Sequence, residues 1–238
     1  MTTSAALGPC WTISVRAERE KYVLKRKEYM KTTTDKLQFE RKYSEEGCRY
    51  IAGVDEVGRG PLCGPVVCCA VIMPLDDIIE GVDDSKKLSE KKREALYDII
   101  TEKAVAYKIC FADHTEIDRI NILEATKKCM AECIEGLEVR PDVVLVDAVK
   151  LNVSVPCIPI IQGDAKSYVI GAASIVAKVY RDRLMREYSR KYPEYDLAAN
   201  KGYGTKKHID AIKEFGPCPI HRRTFIKNFW EDPENPKP

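Results

Sequence analysis

Two adjacent acids, Asp55 and Glu56, close an apolar run and lead at once into Val57-Gly58-Arg59-Gly60-Pro61. Neighbouring carboxylates repel and resist burial, so a strand bound for a core ordinarily excludes them. A divalent cation removes that conflict. The glycines let backbone N–H groups come close to a ligand, and Arg59 implies that the ligand is negatively charged. Asp147 and Asp164 also follow apolar runs. Each of the four acids stands at or just past the C-terminal end of a predicted strand, where α/β sheets gather functional groups. Four such carboxylates suit two Mg²⁺ or Mn²⁺ ions bound through oxygen. Two ions about 4 Å apart stabilise the attacking and leaving oxygens of phosphoryl transfer and acidify a bound water. An acid–base carboxylate pair, as in glycoside hydrolysis, leaves the glycines and Arg59 without a purpose. Taken alone, Asp147 or Asp164 reads as a solvated loop-end acid and Gly58-Arg59-Gly60 as a tight hairpin. The turn is not a P-loop, since no Gly-Lys-Ser/Thr follows. Its position directly after the acid pair gives it meaning.

The elements that must position these residues are legible from patterning. Strands are predicted over 50–55, 65–73, 104–111, 142–146 and 157–161. Helices are predicted over 89–103, from a capping arrangement at Thr115-Glu116-Ile117-Asp118 onward, over 167–188 and over 206–215. The long helix carries Gly171, Ala172, Ala173, Ser174 and Ala177, a face that packs closely; Ser174 reads as a packing residue. This order implies an α/β domain with a mixed five-stranded sheet flanked by helices. Residues 1–48 read as a charged, helical N-terminal extension, 49–190 as the catalytic domain, and 191–238 as a small C-terminal helical region.

Composition narrows the class. The chain has 238 residues, enough for one domain with a sizeable core, and 45% of them are apolar. Its net charge is only +2, from 39 basic and 37 acidic side chains, so local distribution must decide any nucleic-acid partner. No apolar run reaches the ~20 residues that span a bilayer, and the N-terminus lacks a signal-peptide pattern. A cytoplasmic protein without a membrane partner is expected. The 10 cysteines include no Cys-x-x-Cys pair, so they read as small buried hydrophobes in a reducing compartment. His114, His208 and His221 form no evident cluster and receive no role. Asp182 follows Lys178 by one helical turn and reads as its ion-pair partner.

The segment Gly53-Val54-Asp55-Glu56-Val57-Gly58-Arg59-Gly60-Pro61-Leu62-x-Gly64-Pro65-Val66 resembles the signature of the ribonuclease HII family. So do Asp84-Ser85-Lys86-Lys87-Leu88-Ser89, Val146-Asp147, Gly163-Asp164-Ala165-Lys166-Ser167, the stretch from Ala172 to Arg183, and Lys201-Gly202-Tyr203-Gly204-Thr205. The resemblance spans about residues 50–225. It implies an RNase H-like fold and hydrolysis of the RNA strand of RNA–DNA hybrids. It further implies incision of DNA duplexes 5′ of embedded ribonucleotides, leaving 3′-OH and 5′-phosphate ends. It assigns metal binding to Asp55, Glu56, Asp147 and Asp164. Contact with the ribonucleotide 2′-OH and adjacent phosphates falls to Gly58, Arg59 and Gly60, and stacking on the following deoxyribose to Tyr203. Lys86, Lys166 and Lys178 are candidate phosphate contacts. The related ribonuclease HIII family carries lysine where Arg59 stands and a long N-terminal domain, which residues 1–48 are too short and too charged to form. A monomer is expected, since no coiled-coil pattern occurs. Two rival readings remain: a DNA-specific nuclease on a similar fold, and a non-catalytic hybrid-binding protein. Four clustered negative charges beside a phosphate argue against the second.

Overall fold

A mixed five-stranded sheet forms the centre of the computed structural model, which describes residues 35–230. Strands β1 (Ile51–Val57), β2 (Val66–Ile72), β3 (Ala106–Ala112), β4 (Val143–Asp147) and β5 (Cys157–Ile160) lie in the order β3-β2-β1-β4-β5. β1 pairs antiparallel with β2 and parallel with β4; β2–β3 is antiparallel and β4–β5 parallel. Among the described residues the α-helices are α1 (Gln38–Glu45), α2 (Glu90–Lys103), α3 (His114–Ile120), α4 (Ile122–Glu135), α5 (Gly163–Lys166), α6 (Tyr168–Lys191), α7 (Leu197–Asn200), α8 (Lys206–Phe215) and α9 (Arg223–Ile226). Among the described residues, those from Leu37 to Trp230 belong to one compact unit.

The central strand divides its side chains between two cores by the period of two. Ile51 joins the core with Leu145, Val169 and Ile170, on the side of α6. Ala52 and Val54 join the core with Val144, Val146 and Met130, on the side of α4. β2 reads Val-Val-Cys-Cys-Ala-Val-Ile and is buried throughout, as an apolar run covered on both faces should be. Helix α6 lies directly on β1 because position 53 has no side chain. A Cβ at Gly53 would stand 2.1 Å from the Val169 carbonyl carbon and 2.4 Å from the Ile170 nitrogen.

The strands, and the helices predicted from residue 89 onward, are present, with two informative differences. β1 continues through Glu56 to Val57, so the acid pair lies inside the strand rather than at its end. The single helix expected after Thr115 is two. Asp113 caps α3 by accepting from the Glu116 amide at 2.9 Å. Asn121 then breaks the chain at φ 69, and its Oδ1 caps α4 through the Leu123 and Glu124 amides at 2.9 and 3.1 Å. Asparagine tolerates the left-handed region and offers a short acceptor to its own backbone. Helix α8 matches its prediction because Thr205 caps it and Gly216, at φ 74, ends it.

Of the charged stretch expected to be helical, only its end falls within the described residues; 18–34 and the tail from 231 lie outside them. Leu37, Phe39 and Tyr43 pack on the α6-side core. Glu40 is buried and accepts from the Ser167 hydroxyl at 2.6 Å and the Val169 amide at 3.1 Å, which ties α1 to the start of α6. The described cysteines are free thiols, six of them buried, in keeping with their reading as small hydrophobes. Among the described residues no helix is long and apolar enough to cross a membrane.

Gly53→Ala is expected to destabilise the protein by about 3 kcal/mol or more, the upper range for overpacking, because the obstacle is helix backbone. Denaturant unfolding measures this. A loss within about 0.5 kcal/mol, the range of neutral substitutions, would show that α6 can slide on the sheet.

Candidate active site

The four acids come together through strand register. Val54 pairs with Val146 in the parallel β1–β4 ladder, so the next positions, Asp55 and Asp147, stand side by side. Asp147 pairs in turn with Ile160 of β5. The chain leaves β5 through Gln162 at φ 58 and enters α5, whose first amide, from Gly163, donates to Asp147 Oδ1 at 2.7 Å. This places Asp164 beside Asp147 at the same sheet end. Asp164 Oδ1 accepts from the Ala165 amide at 2.9 Å, and its Oδ2 faces Lys86 Nζ at 3.5 Å. Lys86 comes from the turn Ser85–Lys87, which Asp84 caps through the Lys86 amide. That turn is anchored by a 2.9 Å bond between the Ser85 and Ser174 hydroxyls.

Strand alternation aims Asp55 towards α6 and Glu56 towards the opposite face. Asp55 is only 4% exposed. Burial, reinforced by the Glu56 and Asp147 charges, holds its carboxyl well above the usual range, while a hydrogen bond from Ser174 works the other way. Burial also raises Glu56; Arg59 opposes it and Asp147 adds to it. Asp147 is raised by burial and by Asp164, against the Gly163 amide. For Lys86, burial works against the charge, but Asp164, Asp84 and Asp55 together raise its pKa. The site is an excess of buried negative charge with two cations, Arg59 and Lys86, at its margin.

The residues fit divalent metal ions. The donors are carboxylate oxygens, the choice of Mg²⁺ and Mn²⁺. Glu56 Oε2 is buried and has no hydrogen-bond partner, although an ionised carboxylate needs several. A cation beside these groups would lower every raised pKa at once. Among the described residues, the one group of three Cys, His, Asp or Glu side chains whose ligand atoms all lie within 4.8 Å of one another is Cys63, His208 and His221. The carboxylates stand further apart, as unscreened like charges do.

Arg59 Nη1 reaches Glu56 Oε1 at 3.4 Å. Gly58 has φ 95, and a Cβ there would stand 2.2 Å from Arg181 Nε. A Cβ at Gly60 would lie 3.6 Å from the Tyr203 ring. That ring, from the loop between α7 and α8, is 45% exposed. The structure thus gathers Asp55, Glu56, Asp147, Asp164 and Lys86 at one sheet end, with Gly58, Arg59, Gly60 and Tyr203 beside them. Two lysines are engaged elsewhere. Lys166 donates to the Ile161 carbonyl at 2.8 Å. Lys178 is paired with Asp182 at 2.7 Å, the ion pair its spacing implied; burial lowers its pKa and Asp182 opposes this. An open groove of about 600 Å³ adjoins Arg59 and is lined by Leu123, Lys127, Ala148, Lys150 and Asn152.

Two sequence readings need correction. Ser174 is more than a packing residue, since its hydroxyl bonds that of Ser85 in the turn that carries Lys86. His208 and His221, which received no role, form a pair with Nε2 atoms 3.0 Å apart. No local pattern reveals either contact.

The family described as Ribonuclease HII matches residues 52–231. The chain is 58% identical over 196 residues to the ribonuclease HII of Ruminiclostridium cellulolyticum, covering 82% of this chain and 77% of that one. It is 60% identical over 181 residues to that of Lachnoclostridium phytofermentans, covering 76% and 71%. The fold is similar to the crystal structure of the ribonuclease H2 from Pyrococcus horikoshii OT3, with TM-score 0.64, 30% identity, and coverage of 74% of this chain and 93% of that one.

A carboxyl raised by folding favours the protonated folded state, so its ionisation costs stability as pH rises from its unfolded to its folded pKa. Without divalent ions, Asp55→Asn is therefore expected to be more stable than the parent at alkaline pH, by about 1 kcal/mol or more. The difference should close below about pH 4, where unfolded carboxyls protonate, and on addition of Mg²⁺. Thermal melts across pH read this; identical melting temperatures at pH 8 (about four units above an ordinary Asp pKa) would refute the charge excess.

Proposed function

We propose a substrate and a division of labour from one premise: this chain belongs to the ribonuclease HII family and is a phosphodiester-hydrolysing endonuclease. Its substrates are RNA–DNA hybrids, in which it cuts the RNA strand, and DNA duplexes carrying single ribonucleotides, which it incises on the 5′ side. The products carry 3′-OH and 5′-phosphate ends. The reading rests on one observation: four carboxylates meet beside a glycine turn and a half-exposed tyrosine.

Asp55, Glu56, Asp147 and Asp164 would hold two Mg²⁺ or Mn²⁺ ions. When bound, such ions acidify an attacking water and neutralise charge on the attacking and leaving oxygens. The chain's own residues do the rest. The Glu56 amide orients Asp55, and the Gly163 amide orients Asp147. Arg59 and Lys86 bring positive charge to the margin, where substrate phosphates must pass. The turn from Gly58 to Gly60 tests for the 2′-OH, the one group that distinguishes a ribonucleotide at a given site. Tyr203 offers a flat face to the sugar that follows. The groove beside Arg59, with Lys127 and Lys150, suits a polyanionic strand. Of the three candidate lysines, Lys86 has the strongest support. Lys166 and Lys178 would have to leave their present partners to reach phosphate.

Residues 191–238 would complete the substrate site rather than act independently. This is supported by the Leu62 amide bonding to the Gly202 carbonyl and the Gly64 amide to that of Ile220, at 2.8 and 2.9 Å.

Cleavage of a DNA duplex with one ribonucleotide, in Mg²⁺ and then in Mn²⁺, tests the proposal. Asp55→Asn is expected to lose on the order of 10³-fold in rate, the equivalent of several kcal/mol of metal-assisted stabilisation. Tyr203→Ala is expected to lose about 10–100-fold at the junction, the worth of one stacking contact, with little change in melting temperature. Equal activity in Asp55→Asn would sink the carboxylate assignment. Equal cleavage of an all-DNA duplex would transfer the protein to the DNA nucleases.

A further inference from the structure

Behind Tyr203 lies a buried polar chain that the chemistry above does not use. His208 Nδ1 is 3.0 Å from the Tyr203 carbonyl, and the two histidine Nε2 atoms are 3.0 Å apart. His221 Nδ1 is 3.1 Å from Cys218 Sγ. His208 and His221 are 0% and 1% exposed. Tyr195 seals them, its ring edge-on to His221 at 4.9 Å and to His208 at 6.1 Å.

The proton positions follow from what each partner can do. A carbonyl only accepts, so His208 Nδ1 carries a hydrogen. A neutral imidazole then leaves His208 Nε2 as an acceptor. The hydrogen between the rings must therefore sit on His221 Nε2. His221 Nδ1 is left as an acceptor for the Cys218 S–H at 3.1 Å; the Cys218 carbonyl, 3.3 Å from the same nitrogen, would need the opposite tautomer and yields to the shorter 3.0 Å bond from His208 Nδ1 to Tyr203. Burial keeps both imidazoles neutral, with His221 pushed down to about 4, and keeps Cys218 a thiol, raised to about 11. The chain Cys218 S–H to His221 to His208 to Tyr203 C=O is complete, and it runs in one direction. The Tyr203 carbonyl also accepts from the Thr205 amide at 2.8 Å, so both its acceptor sites are used.

We propose that Cys218, His221 and His208 form a positioning relay for Tyr203, and that the relay sharpens the preference for a ribonucleotide followed by a deoxyribonucleotide. The functional half rests on Tyr203 stacking on that sugar, as proposed above. The same segment braces the other side of the site. Arg222, next to His221, donates to the carbonyls of Gly58, Arg59 and Gly64. Residues 218–222 thus hold both the glycine turn and the tyrosine loop, and the relay transmits that hold to the tyrosine.

The test compares kcat/KM on a single-ribonucleotide duplex with kcat/KM on a uniform RNA–DNA hybrid. Cys218→Ala and His221→Phe break the chain and should lower the ratio about tenfold, one buried hydrogen bond's worth. Cys218→Ser, which keeps a donor, should restore it. A merely structural role would lower melting temperature and both rates together, leaving the ratio intact, and would overturn the proposal. Tyr203→Ala separates the two readings. If it collapses the ratio while the relay variants do not, the relay is wrong. If it leaves the ratio unchanged, the stacking reading falls, and the functional half of the relay with it. Imidazole ¹⁵N–¹H spectra at neutral pH should show His208 protonated at Nδ1 and His221 at Nε2. The opposite tautomers, or one equivalent of Zn²⁺ held by Cys63, His208 and His221, would overturn the hydrogen-bond chain itself.

Discussion

Like charges held together at the end of β1 are the constraint on which the rest of the structure turns. Asp55, Glu56 and Asp147 are each raised by burial and by at least one neighbouring carboxylate. Left alone, such groups would separate or seek water. Three features forbid it. The parallel register of β1 and β4 fixes Asp55 beside Asp147. The Gly163 amide binds Asp147 and so draws Asp164 to the same edge. Helix α6 sits on β1 at backbone contact through Gly53 and covers Asp55 with Ser174. Repulsion that would be a defect in a structural protein becomes stored affinity for cations here.

Much of this was legible in the sequence because the signals are local. Apolar runs that end in acids mark strands and site together, and Thr205 and Gly216 bracket α8 to the residue. What escaped is non-local or depends on direction. Asp55 and Glu56 look like one feature in sequence, yet strand alternation sends them to opposite faces, and they cooperate only at the sheet end. His208 and His221 are 13 residues apart and meet only because the chain doubles back under Tyr203. Ser174 sits among alanines that signal packing, and its hydroxyl matters only because Ser85, 89 residues away in sequence, lies opposite. Asn121 breaks a helix whose apolar spacing continues on either side, so periodicity could not find the break.

The second half of the site is shaped by two arginines that the sequence reading passed over. Arg181 and Arg222 are fully buried. Arg181 donates to the carbonyls of Pro65, Lys201 and Cys63 at 3.0, 2.9 and 3.3 Å. Arg222 donates to those of Gly64, Arg59 and Gly58 at 3.0, 2.9 and 2.6 Å. Burying a guanidinium is costly unless its donors are satisfied. Carbonyl dipoles, all but that of Lys201 from the turn over 58–65, meet that need without a further carboxylate.

That arrangement has a consequence for the turn's outer face. In a trans peptide the carbonyl of one residue and the amide of the next point in opposite directions. Arg222 draws the Gly58 and Arg59 carbonyls inward, so the Arg59 and Gly60 amides are turned outward. Two adjacent amides facing the same way are the donor arrangement from which anion-binding concavities are built, and positions 58 and 60 add no side chain over it. The positive φ of Gly58 is part of the same geometry, because a side chain there would strike Arg181. The glycines of the motif thus serve the arginines beneath as much as a ligand above. A buried cation orders the turn from below, and the ordered turn presents donors above, within a few residues of carboxylates that only cations can reconcile.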